Sequence, residues 1–322
     1  MSDGDPPWAR LPRTAGVPML KDARSADSAL LDGLFELPAG SALTVAEVAA
    51  DGSLVAARWR GTGETLFYPA STIKWTTGAL AVALMDEHDL PPEAVLAVGD
   101  RPAATLRDLV LSMLQASDND AFNALHEWVG TAETHAAMRS WGCTHAIVRR
   151  HFMNPRFTGS PACVARRPDG SEVVFEAKPE VDMPLSTDRP PPDGNPEANA
   201  FTTDDLVRVG AATLMGPIRD AAAFGLFACG LSWTCQAYVR AGLARLTAGR
   251  PDRPGFVVLN KPGWWPPDGA NSELNYVHDV AHGRHLFLAV YAQGTEAEAE
   301  AGVSAAAEAV GAALLAGRLR LA

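Results

Sequence analysis

The chain has 322 residues, a mass of 34.0 kDa and 47% hydrophobic residues, enough to bury a sizeable core in one unit or two lobes. Its formal charge of −11 and pI of about 5.2, with no basic run, make nucleic acid and anionic membranes poor partners. No stretch of 18 uninterrupted apolar residues occurs, so no transmembrane helix is expected.

Residues 1–24 read as an irregular, Pro-rich arm. The acidic start, Met1 to Pro7, runs into no apolar segment and does not resemble a secretory leader. The expected location is cytoplasmic, or periplasmic or secreted if a leader has been removed. Ser25 to Leu37 has apolar residues at helical spacing (Leu30, Leu31, Leu34, Phe35) and ends at Pro38. Ser41 to Arg60 alternates as a hairpin around Asp51-Gly52. Ser71 to His88 is a predicted helix. Thr105, with Asp108 three residues on, opens a helix from Leu106 to Gln115, and Asn119 to Val129 is helical again. Residues 154–199 form a long Pro-rich loop with a small hairpin around Asp169-Gly170. A helix follows from Thr202 to Leu214. Gly255 to Leu259, Leu274 to His278 and His285 to Tyr291 read as strands, and Thr295 to Leu315 as a closing helix. There is no internal repeat. Cys143, Cys163, Cys229 and Cys235 lack the paired spacing of a zinc site. They read as reduced thiols, although Cys229 and Cys235 are near enough in sequence to bridge.

Ser71-Thr72-Ile73-Lys74 carries the chemistry. Positions i and i+3 share a helix face, so a hydroxyl and an amine lie side by side at the start of an apolar run. A serine hydroxyl is a weak nucleophile without a base, and a partly buried lysine can be that base. Arginine cannot, and this chain has four lysines (Lys21, Lys74, Lys178, Lys261) against 23 arginines. A serine N-cap before an ordinary surface lysine would give the same pattern, so the context decides. At a helix N-terminus the Ser71 backbone N–H points toward an oxyanion formed on an attacked carbonyl, and the helix dipole helps.

Two further elements supply that context. Ser117-Asp118-Asn119 follows within a helical region, and Lys261-Pro262-Gly263 follows the strand-like run 255–259. Ser-x-x-Lys, Ser-Asp-Asn and Lys-Thr-Gly occur in this order in class A β-lactamases and penicillin-binding proteins, and the chain resembles that family over roughly residues 25–320. The resemblance implies an α+β fold. An antiparallel sheet flanked by the N- and C-terminal helices (25–70 and 230–322) would pack on an inserted all-helical lobe (71–229, including loop 154–199), with the active site between them. It implies Ser71 as nucleophile and Lys74 as the base that takes its proton. Ser117 would shuttle a proton to the leaving group, and Asn119 would bind the Lys74 ammonium and the substrate. Asp118 would hold the loop. Lys261 would supply positive potential, Gly263 would complete the strand motif, and the Trp264 backbone N–H would be the second oxyanion donor. Glu273 and Asn275 are further candidates for the cleft.

Three departures bear on substrate. Pro262 replaces the threonine that helps hold a β-lactam carboxylate, and it removes a backbone donor. The strand from Leu274 to His278 has no arginine for that carboxylate; the next is Arg284. The loop glutamate of class A enzymes, in a Glu-x-x-x-Asn pattern, has no counterpart in Val148-Arg149-Arg150-His151-Phe152-Met153-Asn154. Glu197-Ala198-Asn199 has the right residue types at the wrong spacing. Deacylation would then pass through Lys74, or through His151 or Glu197 if the loop folds back. Trp264 and Trp265 suggest an apolar or aromatic substrate. The expected activity is a serine hydrolase working through an acyl-enzyme on a small ester or amide, without metal or organic cofactor, and a poor β-lactamase. The alternatives are a true class A β-lactamase or peptidoglycan peptidase, and a β-lactam sensor that acylates without turnover.

Overall fold

The computed structural model describes residues 11–12, 18–148, 159–181, 199–216, 218, 220–234, 236–248, 255–265 and 270–322. Two segments far apart in sequence build its main sheet. The expected hairpin forms from β2 (Ala42–Val48) and β3 (Leu54–Arg58), with the Ser53 backbone N–H and hydroxyl both donating to Asp51 Oδ1 at the turn. The C-terminal strands are β8 (Phe256–Trp265), β9 (Ala270–Asp279) and β10 (Arg284–Gln293), each longer than its apolar run suggested. The order is β1-β3-β2-β10-β9-β8, so β10 joins the two segments and β8 is an outer strand. All these pairings are antiparallel except one. β1 (Leu20–Asp22) runs parallel to β3, where an irregular arm and a purely antiparallel sheet were expected. The short strand satisfies the polar edge that β3 would otherwise expose.

Each face of the sheet is covered by helices. On one lie α1 (Ser25–Leu34), α8 (Tyr238–Thr247) and the long α9 (Glu296–Leu315), packed over Val45, Val258, Val277, Leu288 and Val290. The Thr295–Glu298 capping box starts α9. On the other face lie α2 (Lys74–Glu87), α3 (Leu106–Gln115), α4 (Asn119–Val129), α6 (Thr203–Leu214) and α7 (Ala221–Ser232), around Trp75, Phe122, Phe227, Tyr276 and Phe287. Thr105, Asp118, Thr202 and Asp220 each accept from a backbone N–H three residues on, which fixes the starts of α3, α4, α6 and α7. Buried Asp204 ties α6 to the sheet by accepting from Thr44 Oγ1 at 2.8 Å and Arg58 Nε at 2.8 Å.

The helical region is not all-helical. A second sheet lies within it, in the order β5-β4-β6-β7, from β4 (Val95–Val98), β5 (Ala104–Thr105), β6 (Cys163–Arg166) and β7 (Glu172–Phe175). Its β6–β7 hairpin turns at Asp169-Gly170, as the sequence indicates, with Gly170 at φ +87°. Helices α5 (Thr131–Ser140), α7 and α8 had no counterpart in the sequence reading. Cys143, Cys163 and Cys229 carry free thiols, and burial pushes Cys163 up to about 11; Cys235 lies outside the described residues. No helix among the described residues is long and apolar enough to cross a membrane.

Candidate active site

Ser71 does not open an α-helix. It sits half-buried in a 3-10 turn, Ala70–Ile73, and α2 begins at Lys74. The turn is tight and held from outside. Ala70 takes a left-handed φ of +46°, which costs a non-glycine residue roughly 1–2 kcal/mol. Thr72 N–H donates to Pro69 O at 3.0 Å, and Thr72 Oγ1 donates to Ser272 O at 3.0 Å and lies 2.7 Å from Ser272 Oγ. Ser272 Oγ in turn donates to Pro69 O at 2.7 Å. Neither Thr72 nor Ser272 was singled out in the sequence. Their contact spans 200 residues and exists only because β9 pairs with β8.

Gly263 lies opposite Ser272 in that pairing, and a methyl group on its α-carbon would stand 2.3 Å from Pro69 O and 2.7 Å from Thr72 N. Both are backbone atoms at the Ala70–Ile73 turn, so the glycine is what lets β8 press against it. Gly263→Ala is expected to push β8 and the turn apart. A displacement of about 1 Å in a reacting group costs on the order of a hundredfold in rate. Steady-state hydrolysis by the folded variant checks this, and wild-type kcat would contradict it.

The Lys74 side chain is fully buried. Its Nζ donates to Ser117 O at 2.5 Å, Asn119 Oδ1 at 2.7 Å and Ser117 Oγ at 3.3 Å. Ser117 lies in the turn between α3 and α4 at φ +59°, a second left-handed non-glycine residue at the cleft. Asp118 caps α4 through Ala121 N–H at 2.8 Å, and Asn119 is the first residue of that helix. From the sheet side, buried Lys261 donates to Ser117 Oγ at 3.1 Å and to Pro262 O at 3.0 Å. One serine hydroxyl therefore stands between two lysine amines brought from α2 and β8. Trp264 follows on β8, half-buried, and Trp265 packs edge-on against Tyr68 with ring centres 5.1 Å apart.

Glu273 and Asn275 do not face this cleft. Glu273 accepts from Val239 N–H of α8 and from Asn260 Nδ2, and Asn275 donates to Leu288 O. Strand alternation explains this: Ser272 and Leu274 face the Ala70–Ile73 turn and the helices packed around it, so their odd-numbered neighbours point toward α8 and α9. His151 and Glu197 lie outside the described residues.

Residues 58–316 match the model of a beta-lactamase enzyme family. No curated protein sequence matches the chain. Among solved structures, a beta lactamase from Xanthomonas campestris pv. campestris is 16% identical at a TM-score of 0.62, covering 90% of this chain and 96% of the other. A beta lactamase from Burkholderia vietnamiensis is 17% identical at 0.62, covering 91% and 97%. The structure of PBP-A is 14% identical at 0.63, covering 93% and 99%. At these identities the likeness is one of fold. The family match spans most of the sequence, and by it the chain belongs to the beta-lactamase enzyme family and is a serine hydrolase of the β-lactamase type.

Proposed function

We propose that the enzyme hydrolyses neutral, preferably aromatic, esters or amides through an acyl-enzyme on Ser71. The observation that carries this reading is the Ser117 hydroxyl held within hydrogen-bond distance of both Lys261 and Lys74, the lysine three residues on from Ser71. Ser71 Oγ attacks the carbonyl carbon and its proton passes to Lys74 Nζ. The oxyanion forms between the backbone N–H groups of Ser71 and Trp264. Pro262 supports the second donor. A proline within a strand has its nitrogen turned away from the ladder, and period two turns the Trp264 N–H toward that same outer side of β8. Collapse breaks the bond to the leaving group, which takes the Ser117 proton, and Lys74 returns one to Ser117. Water then attacks the acyl-enzyme with Lys74 as base, releasing the acid and restoring Ser71. Asn119 orients the Lys74 amine and the substrate, and Lys261 stabilises negative charge on the substrate side.

The cationic groups that would hold a carboxylate-bearing substrate are turned elsewhere. Among the described residues β9 has no arginine. Arg284 is bound to Glu47 by two contacts of 2.6 Å, and Arg240 donates to the carbonyls of Leu231, Ser232 and Val258. Tyr68 and Trp265 instead offer an aromatic wall beside the nucleophile turn. Short aromatic or aliphatic p-nitrophenyl esters are therefore expected to show a higher kcat/KM than benzylpenicillin. The loss of one charge-assisted hydrogen bond costs a penicillin about 1.5–3 kcal/mol, or roughly ten- to a hundredfold. Steady-state kinetics on both, with Ser71→Ala as the blank, tests this. A penicillin kcat/KM above that of every ester would favour a true β-lactamase, and a stable adduct without product would favour a sensor.

A further inference from the structure

Behind the cleft, on the sheet face turned toward α8, lies a buried polar cluster that the acyl-transfer steps do not use. Asn260, the residue before Lys261, is at its centre. Its Nδ2 donates to Gln236 O at 3.0 Å and Glu273 Oε1 at 2.8 Å. Its Oδ1 accepts from Thr234 Oγ1 at 2.8 Å and Arg240 Nη2 at 2.7 Å. A carboxamide has two donor hydrogens and two acceptor lone pairs, so each has a partner, the single Thr234 hydroxyl proton being shared between Asn260 Oδ1 and Gln236 O. Glu273 is fully buried and also accepts Val239 N–H at 3.1 Å.

The position of this cluster gives it leverage. Successive residues of a strand point to opposite faces, so fixing the Asn260 side chain on one face fixes where Lys261 leaves on the other. β8 pairs with β9 alone and contains a proline, so its ladder constrains it less than an inner strand. A buried polar network is no better than an apolar core for stability, but a fully satisfied one specifies a single arrangement.

We propose that Asn260 and Glu273 are positioning residues for acylation: their hydrogen-bonded pair, braced by Arg240, holds β8 so that Lys261 Nζ meets Ser117 Oγ and the Trp264 N–H stands beside Ser71. The inference rests on the reading of Ser71, Ser117 and Lys261 as acyl-transfer residues. It carries a pH signature. Burial pushes Glu273 up to about 7, against the hydrogen bonds from Val239 N–H and Asn260 and the charges of Arg240 and Lys261. Tyr238 of α8 also faces it, with Glu296 and Glu300 of α9 beyond; from β10 the opposing residue is the uncharged Val290. Below that pH the protonated carboxyl keeps one carbonyl oxygen where Asn260 Nδ2 and Val239 N–H engage two, so the full set of bonds is present only above it.

The test measures the pre-steady-state acylation rate with p-nitrophenyl acetate, each protein held well below its own melting temperature. Asn260→Asp, Asn260→Leu and Glu273→Gln are each expected to slow acylation roughly ten- to a hundredfold with little change in KM. The Asn260→Asp/Glu273→Gln double variant exchanges acceptor and donor across the same bond and is expected to be faster than Asn260→Asp alone. The ratio of wild-type to Glu273→Gln rates is expected to rise with pH, with a midpoint near 7, because below it the wild-type carboxyl is itself protonated. Stability moves the other way. A carboxyl raised from 4.5 to about 7 on folding loses its stabilising proton as pH climbs across that window, so the wild-type melting temperature falls there and that of Glu273→Gln does not. Variants that melt lower but acylate at the wild-type rate, or a flat ratio, would overturn the proposal. Acylation surviving in Ser71→Ala would instead overturn the reading of the site beneath it.

Discussion

Ser71→Ala is expected to reduce ester turnover on the order of 10⁴-fold or more, leaving what binding and the oxyanion donors supply. The neighbouring hydroxyls cannot stand in. Thr72 Oγ1 is tied to Ser272, and Ser117 Oγ is held between Lys74 and Lys261. The turn itself survives the substitution, because Thr72, Ser272 and Gly263 hold it, not the Ser71 hydroxyl. The variant therefore keeps its melting temperature while losing activity. Steady-state hydrolysis of p-nitrophenyl esters with a parallel thermal melt measures both. Retained turnover at wild-type stability would mean that another group attacks the carbonyl.

Lys74→Arg is expected to be as damaging as Lys74→Ala, with kcat falling roughly 10²–10⁴-fold in both. Arginine keeps the positive charge and much of the length. It does not give up its proton at any pH a protein survives, so it cannot take one from Ser71. Its planar fork also fits badly in a fully buried site shaped for one amine among Ser117 O, Ser117 Oγ and Asn119 Oδ1. Comparing acylation rates of the two variants separates base from counter-charge. If arginine restores most of the rate, Lys74 acts by charge alone and another residue accepts the proton.

The meeting of Lys74, Ser117, Asn119 and Lys261 was legible because they stand in short motifs. Ser71 and Lys74 are three residues apart, Ser117 and Asn119 two, and Lys261 stands on a strand whose apolar run announces it. The lysine count helped too, though not every lysine is chemical: Lys178 donates to the carbonyls of Trp128 and Val129 at the end of α4, and Lys21 pairs with Asp51 on the surface. What supports the site depends on strand register, which no local pattern fixes. Ser272 and Glu273 are adjacent in sequence, yet one clamps the Ala70–Ile73 turn and the other anchors Asn260 on the opposite face. The polar run Asn271-Ser272-Glu273 in a strand buried on both faces was the available signal, since such groups must find partners. Left-handed Ala70 and Ser117 are invisible to propensity, because neither is a glycine. The missed helix α7 is apolar on nearly every side, so it has no amphipathic period to read.

Acyl transfer is expected to pass through the Ser71 hydroxyl. Intact-mass analysis after exposure to a fluorophosphonate, followed by peptide mapping of the adduct, tests it most directly. One phosphonyl group per chain on the peptide bearing Ser71, and none in Ser71→Ala, is the expected result. Stoichiometric labelling of Ser71→Ala at a different serine would contradict it.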